Sequence, residues 1–326
     1  MAEINTILPD KWLMIVNPNA GVKKGTKDWP KILRILQEEK VDFDFRLTTC
    51  KGHAIEITAE AIAGGYRNIC VVGGDGTLNE VLNGVPLTPG FTLGASAGSS
   101  TTTPCITLGM IPVGTGNDWC RMFNIPFDYL KAINLLKQKK TFLQDVGKVT
   151  YYHQNKQMIR YFMNVAGMGY DALVAKKTNM LKEKGLGGPL TYMYFVFASL
   201  FQFKFIEAVI EVDGKAAFKG EIFSMNVGIC KYNGGGMMQV PFAIPDDGLL
   251  DVTLIKKTSK WMVVRYARKL FDGSLVDLPM VATYKGENIR IRSTGKLFLE
   301  TDGESLGHTP FTFEVIPRCV TIVTGK

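Results

Sequence analysis

At 326 residues, with 46% hydrophobic and 21% charged content, the chain is long enough for two domains and has the composition of an ordinary soluble enzyme. Its formal net charge of +8 suits polyanionic company such as nucleotides or an anionic bilayer face, while the lack of any Lys/Arg-rich block argues against nucleic acid. The six cysteines are scattered without a CxxC pair, against a zinc site or disulfide scaffold, and residues 1–10 lack a signal-peptide pattern, so a reducing, cytoplasmic setting is expected.

The first half of the chain alternates strands and helices. Trp12 to Val16 is an apolar run ending at Asn17-Pro18, and helical spacing follows through Trp29, Ile32, Leu33, Ile35 and Leu36, with Thr26 as its cap. Phe43 and Phe45 alternate with Asp42, Asp44 and Arg46 as in a half-buried strand, and His53 to Ala63 reads as a helix. Ile69, Val71 and Val72 then suit a buried strand that stops at Gly73-Gly74-Asp75-Gly76, after which Thr77 opens a helical pattern through Leu78, Val81 and Leu82. Such a junction presents backbone N–H groups at the positive end of a helix dipole, where phosphate binds, and glycines let the backbone approach it. A plain hairpin with Asp-Gly at its tip is the bland alternative, but a helix comes next rather than a second strand. Asp75 would repel phosphate, so it makes sense with a bridging cation or as an acceptor for a hydroxyl.

Residues 86–107, rich in Gly, Ser, Thr and Pro, read as an inserted loop, either a flap or a neutral surface excursion. Leu108 to Val113 is the next strand and ends in a second glycine turn, Gly114-Thr115-Gly116-Asn117-Asp118. The segment from Trp119 to Lys140 reads as helical around Pro126. This βαβ series predicts an α/β domain over 1–144 built on a doubly wound parallel sheet, with ligands outside the strands' carboxyl ends. From 145 to 326 the texture turns to β, with alternating segments at 158–165, 205–212, 222–230, 249–255, 289–292, 296–300 and 311–316. A β-sandwich-like second domain is expected there, with a cleft between the two and the final strand free to return to the first. Helical insertions are expected at 170–184 and 260–271. The uncharged stretch 187–203 is short of the ~20 residues of a membrane span. It reads as a buried core helix, with an interface-resting helix as the alternative.

Several motifs then stand in a telling order: Asn17-Pro18-x-x-Gly21; Gly73-Gly74-Asp75-Gly76-Thr77-x-Asn79-Glu80; Pro112-x-Gly114-Thr115-Gly116-Asn117-Asp118; Asp145-Val146-Gly147; Asn164-x-x-Gly167-x-Gly169-x-Asp171; Gly234-Gly235-Gly236; Asp247-Gly248-Leu249-Leu250-Asp251; and Asp302-Gly303-Glu304. Together they resemble the diacylglycerol kinase catalytic-domain family, in the bacterial lipid-kinase branch that includes sphingosine-kinase-like enzymes. The resemblance implies phosphorylation of a lipid hydroxyl with ATP and Mg²⁺, an N-terminal nucleotide domain of NAD-kinase-like fold and a C-terminal β-rich lipid domain. No Gly-x-x-x-x-Gly-Lys-Ser/Thr sequence is present, so this is not a P-loop kinase.

Phosphoryl transfer needs a phosphate cradle, a metal to spread charge and an acceptor for the hydroxyl proton. Gly73, Gly74, Asp75, Gly76 and Thr77 supply the cradle, with Asn79, Gly114 and Asn117 from the two glycine turns. By resemblance Asn17, Thr49 and Thr115 complete the nucleotide site, although ordinary capping or turn bonding would also explain the threonines. Asp75, Asp118 and Asp145 are candidates to hold or orient the catalytic Mg²⁺, some through water. Asp118 would equally serve as a helix cap. Glu304, in a turn between β segments, matches the family's proposed general base, with Asp75 as the other carboxylate suggested for that role. A solvated Asp-Gly turn is the bland reading of the same residues. The Asp247 loop resembles a structural Mg²⁺ site whose ligands map to Asp247 and the carbonyls of Ile244 and Leu249, or else it is a solvated turn. Some relatives place a phosphate-contacting lysine directly after the glycine of the first motif; Val22 stands there instead, with Lys23 and Lys24 next to it as the alternative charge contacts.

Two rivals share these features: an NAD kinase, and a non-catalytic lipid-binding protein of the same fold. The acceptor is expected to be diacylglycerol, giving phosphatidic acid, with a sphingoid base, ceramide or another lipid as the alternative. A bilayer substrate without an anchor implies peripheral, salt-dependent contact with an anionic membrane, and an exposed sheet edge would permit a homodimer.

Overall fold

The computed structural model describes residues 8–87, 106–183 and 198–326. The chain divides into two units, Met1–Asp145 with Ile316–Lys326, and Val146–Val315.

The first unit follows the expected βαβ series. Its elements are β1 (Leu8–Val16), α1 (Ala20–Glu38), β2 (Phe43–Leu47), α2 (His53–Ala63), β3 (Tyr66–Gly73), α3 (Asp75–Gly84), β4 (Thr107–Pro112), α4 (Asp118–Met122) and α5 (Tyr129–Gln138). The strands pair in parallel, in the order β2-β1-β3-β4, and the end of β16 (Glu304–Val323) joins beside β4 through Thr321↔Thr107 and Ile322↔Leu108. A parallel sheet covered on both faces needs apolar residues at every position. In β1, Trp12, Met14 and Val16 pack with Ile32, Leu36, Ile133 and Leu136, while Leu13 and Ile15, pointing the other way, are also buried.

Local chemistry explains where the helices depart from expectation. Thr26 is not a cap: its hydroxyl and N–H both donate to the Pro18 carbonyl. The turn before it is left-handed at Gly21, Val22 and Lys23, and a Cβ on Gly21 would meet the Val113 carbonyl oxygen at 2.3 Å. The expected helix from Trp119 to Lys140 breaks in two around Pro126, and Asp128 caps the second half by accepting from Lys131 N at 3.0 Å.

The second unit holds β5 from Val146 onward (whole strand Thr141–His153), β6 (Lys156–Phe162), β7 (Val165–Gly169), α6 (Tyr170–Glu183), β8 (Ile206–Val212), β9 (Lys215–Gly228), β10 (Tyr232–Asn233), β11 (Met237–Met238), β12 (Leu250–Lys256), α7 (Lys260–Tyr266), α8 (Lys269–Asp272), β13 (Val281–Gly286), β14 (Asn288–Ser293) and β15 (Phe298–Thr301). The pairing β9-β7-β15-β16-β14-β8 returns to β9, so these strands form a ring in which each has two partners. Such closure removes sheet edges. Strands β12 and β13 extend the sheet from β9. Neither β5 nor β13 was among the expected strands.

Residues 88–105 of the inserted loop and 187–197 of the apolar stretch lie outside the described residues. The end of that stretch, 198–202, is helical, and Leu200 and Phe203 join a core with Tyr170, Val174 and Phe223. Among the described residues no helix is long and apolar enough to cross a membrane.

Candidate functional site

In the first unit the carboxyl ends of adjacent parallel strands carry the residues singled out from sequence. Thr49 follows β2, Asn17 follows β1, the Gly73–Thr77 turn follows β3 and the Gly114–Asp118 turn follows β4. The two glycine turns are pressed together. The N–H groups of Val113 and Gly114 donate to the Gly73 carbonyl at 2.8 and 2.9 Å, and a Cβ on Gly114 would stand 2.6 Å from Gly74 Cα. Only glycine permits that approach. Asn17 Nδ2 donates to the Thr77 hydroxyl oxygen at 2.9 Å, fixing the first turn of α3 to the end of β1. Asn117, buried and left-handed at φ 52°, donates to the Gly114 carbonyl at 2.8 Å. Its Oδ1 is buried without a hydrogen-bond partner among the described residues.

Asp75 has a use that the sequence did not suggest. Its two carboxylate oxygens accept the N–H groups of Asp118 and Trp119, each at 3.1 Å, so it caps α4 from a different helix. Asp118 is therefore not the cap considered for it. Its own carboxylate is buried and lies 3.8 Å from the Arg121 guanidinium. Asp145, fully buried, accepts from Arg318 N at 2.7 Å. Among the described residues no three acidic, histidine or cysteine side chains gather to ligate a metal together. Asn79 is also reassigned: it is fully buried, and its side chain meets Asn83. Glu80 accepts from Gly52 N at 2.8 Å and caps α2. Thr49 is exposed and bonds to His53 Nδ1 through its N–H and hydroxyl, while Thr115 is exposed.

In the second unit Asp302 and Gly303 are left-handed at φ 48° and 86°, with Thr301 and Glu304 paired across them, as in the tightest hairpin turn. The turn is not a solvated one. Asp302 is buried and accepts the N–H groups of Met163, Asn164 and Val165 at 3.0–3.2 Å. Glu300 accepts from Gly303 N at 2.9 Å and from Asn233 Nδ2 at 2.8 Å, so the backbone that carries Glu304 is held from beneath. Burial pushes the Glu300 carboxyl up to about 8, despite the bonds from Asn233 and Gly303 that favour its charge. Burial likewise raises Asp171, which accepts from Ser224 Oγ and from Asn226 Nδ2 at 3.0 Å. Gly167 is required here, since a Cβ would meet Glu300 Oε1 at 2.5 Å and Asn226 Oδ1 at 3.1 Å.

Sequence reasoning missed Glu300, Asn226 and Asn233 as site residues and left Asp171 without a role. The available signal was the Asn164–Asp171 and Gly234–Gly236 motifs, which had no assigned chemistry and whose segments flank this cluster. The Asp247 loop is also different from expectation. Lys285 Nζ lies 2.7 Å from Asp247 and 3.1 Å from Asp251, and Asp247 Oδ1 accepts Leu249 N at 3.1 Å. An ammonium thus stands beside the carboxylate that was expected to hold a structural cation.

Comparison with known proteins agrees along the chain. Residues 11–149 match the diacylglycerol kinase catalytic domain, and 164–324 match the YegS C-terminal NAD kinase beta sandwich-like domain. The chain is 30% identical over 321 residues to a diacylglycerol kinase of Bacillus subtilis (strain 168), covering 96% of each chain. It is 28% identical over 313 residues to a diacylglycerol kinase of Staphylococcus carnosus (strain TM300), covering 96% of this chain and 94% of that one. A crystal structure of a diacylglycerol kinase from Bacillus anthracis str. Sterne superposes with a TM-score of 0.70 at 24% identity, covering 98% of both chains, a likeness of fold. The fold is thus a diacylglycerol-kinase catalytic domain of NAD-kinase-like type followed by a β-sandwich-like domain.

Proposed function

Because the chain belongs to the diacylglycerol kinase family, we propose that it transfers the γ-phosphoryl group of ATP to the free hydroxyl of diacylglycerol, giving phosphatidic acid. The observation that carries this reading is the pair of interlocked glycine turns at the carboxyl edge of the parallel sheet, where the N-terminus of α3 opens beside the Thr77 hydroxyl. Gly73 to Thr77, Gly114 and Asn117 then cradle the phosphates, and Asn17 holds Thr77 in place. Thr49 and Thr115, exposed near the same strand ends, serve the rest of the nucleotide.

Magnesium, when bound, spreads the charge that builds on the transferring phosphoryl group. The oxygens present fit an ion held through its waters. Asp75 accepts the N–H groups of Asp118 and Trp119 at this edge, the Asp118 carboxylate is buried next to it, and Asn117 Oδ1 lacks a partner among the described residues. Asp145 acts one step removed, by fixing the strand that returns through Arg318.

Glu304 is the group we assign to take the proton from the acceptor hydroxyl as its oxygen attacks the γ-phosphorus. Asp302 and Glu300 act by holding its turn rigid. The second unit binds the lipid in this reading, and a bilayer acceptor requires peripheral membrane contact.

The test is phosphorylation with purified protein, Mg²⁺ and labelled ATP, offering diacylglycerol, sphingosine, ceramide and monoacylglycerol in anionic mixed micelles, with NAD in parallel. The expected result is label in diacylglycerol, with turnover falling about 10²-fold or more in Glu304→Gln while ATP binding stays near wild type. Label in another lipid would revise the acceptor, near-wild-type turnover in the variant would remove Glu304 as the base, and label only in NAD would overturn the lipid reading.

A further inference from the structure

The second unit exposes an aromatic pair that neither its core nor its acid cluster uses. Trp261 is 73% exposed and Phe201 55% exposed, and their rings meet edge to face with centroids 6.2 Å apart. Lys260 Nζ donates to the Phe201 carbonyl at 2.6 Å, which ties α7 to the helical segment at 198–202. Helix α7 has no fully buried residue, and it rests on the core through Val263 and Val264. A single exposed ring is unremarkable, but two adjoining ones on tied segments form an apolar surface without an occupant inside the described fold.

The charge around this pair has one dominant sign. Residues 252–271 contain no aspartate or glutamate, and the same stretch holds Lys256, Lys257, Lys260, Arg265, Arg268 and Lys269. Two acids stand near it. Glu221 pairs with Lys257, and Asp272 is turned to the N–H and hydroxyl of Ser274. The other cations lie within eight residues of Trp261 along the chain, on its own helix α7 or directly beside it.

We propose that Trp261 and Phe201, together with the basic residues of 256–269, form the surface on which this chain rests against an anionic bilayer. The proposal takes its purpose from the lipid-kinase reading, but its evidence is exposure and charge. An indole sits well at the level of lipid headgroups, where its ring is half in hydrocarbon and its N–H stays wet. Basic side chains beside it gain from the negative surface potential, each by about fivefold in affinity. The two contributions combine as they do for interfacial helices, where an apolar face and a cationic flank act together.

The experiment uses the full chain with vesicles of phosphatidylcholine and phosphatidylglycerol, and with vesicles of phosphatidylcholine alone. Of the four tryptophans, Trp12 and Trp119 are buried, which leaves Trp261 as the most exposed reporter. Wild-type emission should shift to the blue with the anionic vesicles, and the shift should vanish in Trp261→Phe. Sedimentation with the anionic vesicles should weaken at least tenfold in the double variant Trp261→Ala/Phe201→Ala. A second variant, Arg265→Glu/Arg268→Glu, keeps both rings and the Lys260 tie between them and should lose affinity for the anionic vesicles alone. Phosphorylation of a short-chain diacylglycerol dispersed as monomers should be unchanged in both.

Equal sedimentation of wild type and both variants would overturn the proposal. So would a dimer, seen by sedimentation velocity, that the aromatic variant splits while its vesicle affinity is unchanged, since the surface would then belong to a second copy. Docking that depends on Trp261 in a chain that phosphorylates no lipid would retain the surface and overturn the kinase reading instead.

Discussion

The two units dispose of their carboxylates in opposite ways. In the first, Asp75, Glu80 and Asp145 each accept main-chain N–H groups, two of them at the starts of helices. Such bonds favour the ionised form and draw on donors that helix geometry leaves spare. In the second, Asp171 and Glu300 are crowded among side chains and are pushed toward the neutral form, while Asp247 and Asp251 share one lysine. Main-chain donors serve carboxylates there too, three on Asp302, two on Asp213 and one each on Glu300 and Asp247, so the difference lies in the side-chain crowding and the shared lysine. The contrast teaches that a parallel sheet with helices following its strands generates anion-binding ends, whereas the closed antiparallel ring crowds its acids among side chains.

The largest effect is expected where an N–H-fed carboxylate is removed. Asp75→Ala should lower the unfolding free energy by about 2 kcal/mol in urea, with Asp75→Asn losing about half of that because one acceptor oxygen survives. No loss in either variant would mean that water caps α4 as well, and the contrast between the units would weaken.

A smaller effect is expected at the shared ammonium. Lys285→Met should cost about 1–2 kcal/mol by leaving Asp247 and Asp251 without their cation, given that the lysine is part-exposed. Added Mg²⁺ should restore part of that stability in the variant and none in the wild type. Restoration in both would show that the loop takes the ion despite Lys285.

The smallest effect is a change of slope. Glu300 is raised from an ordinary 4.5 to about 8, so the native chain keeps a proton that the unfolded chain releases in between. Its stabilising contribution is complete below about 4.5 and is lost as pH rises through about 8. Thermal melts across that window should fall more steeply for wild type than for Glu300→Gln. Parallel curves would mean that Glu300 is ionised in the native chain.

Much of this was legible in the residues. The strand–glycine–helix junctions at Gly73 and Gly114 announce themselves because apolar run, turn and helical spacing are all local. The capping of α4 by Asp75 was not legible, since its partners are 43 and 44 residues away and the same carboxylate suits a cation equally well. Glu300 hid for another reason: a lone acid in Leu299-Glu300-Thr301 looks like a solvent-facing strand position, and only the approach of Gly167, Asn226 and Asn233 makes it buried. Lys285 belongs to the same class, a surface-like residue whose partners come from a neighbouring strand.

The pairing of Thr321 and Ile322 with β4 also bears on synthesis. The sheet edge formed by β4 waits for the far end of β16 to be made, and Val323 is part of the hydrophobic core that β1 began. The first unit therefore cannot close until Thr321 and Ile322 have been made, although its first strands emerge long before. A contact of such sequence separation slows folding and leaves an apolar strand edge open in the meantime. A nascent chain of this protein would be a natural client for chaperones until β16 arrives.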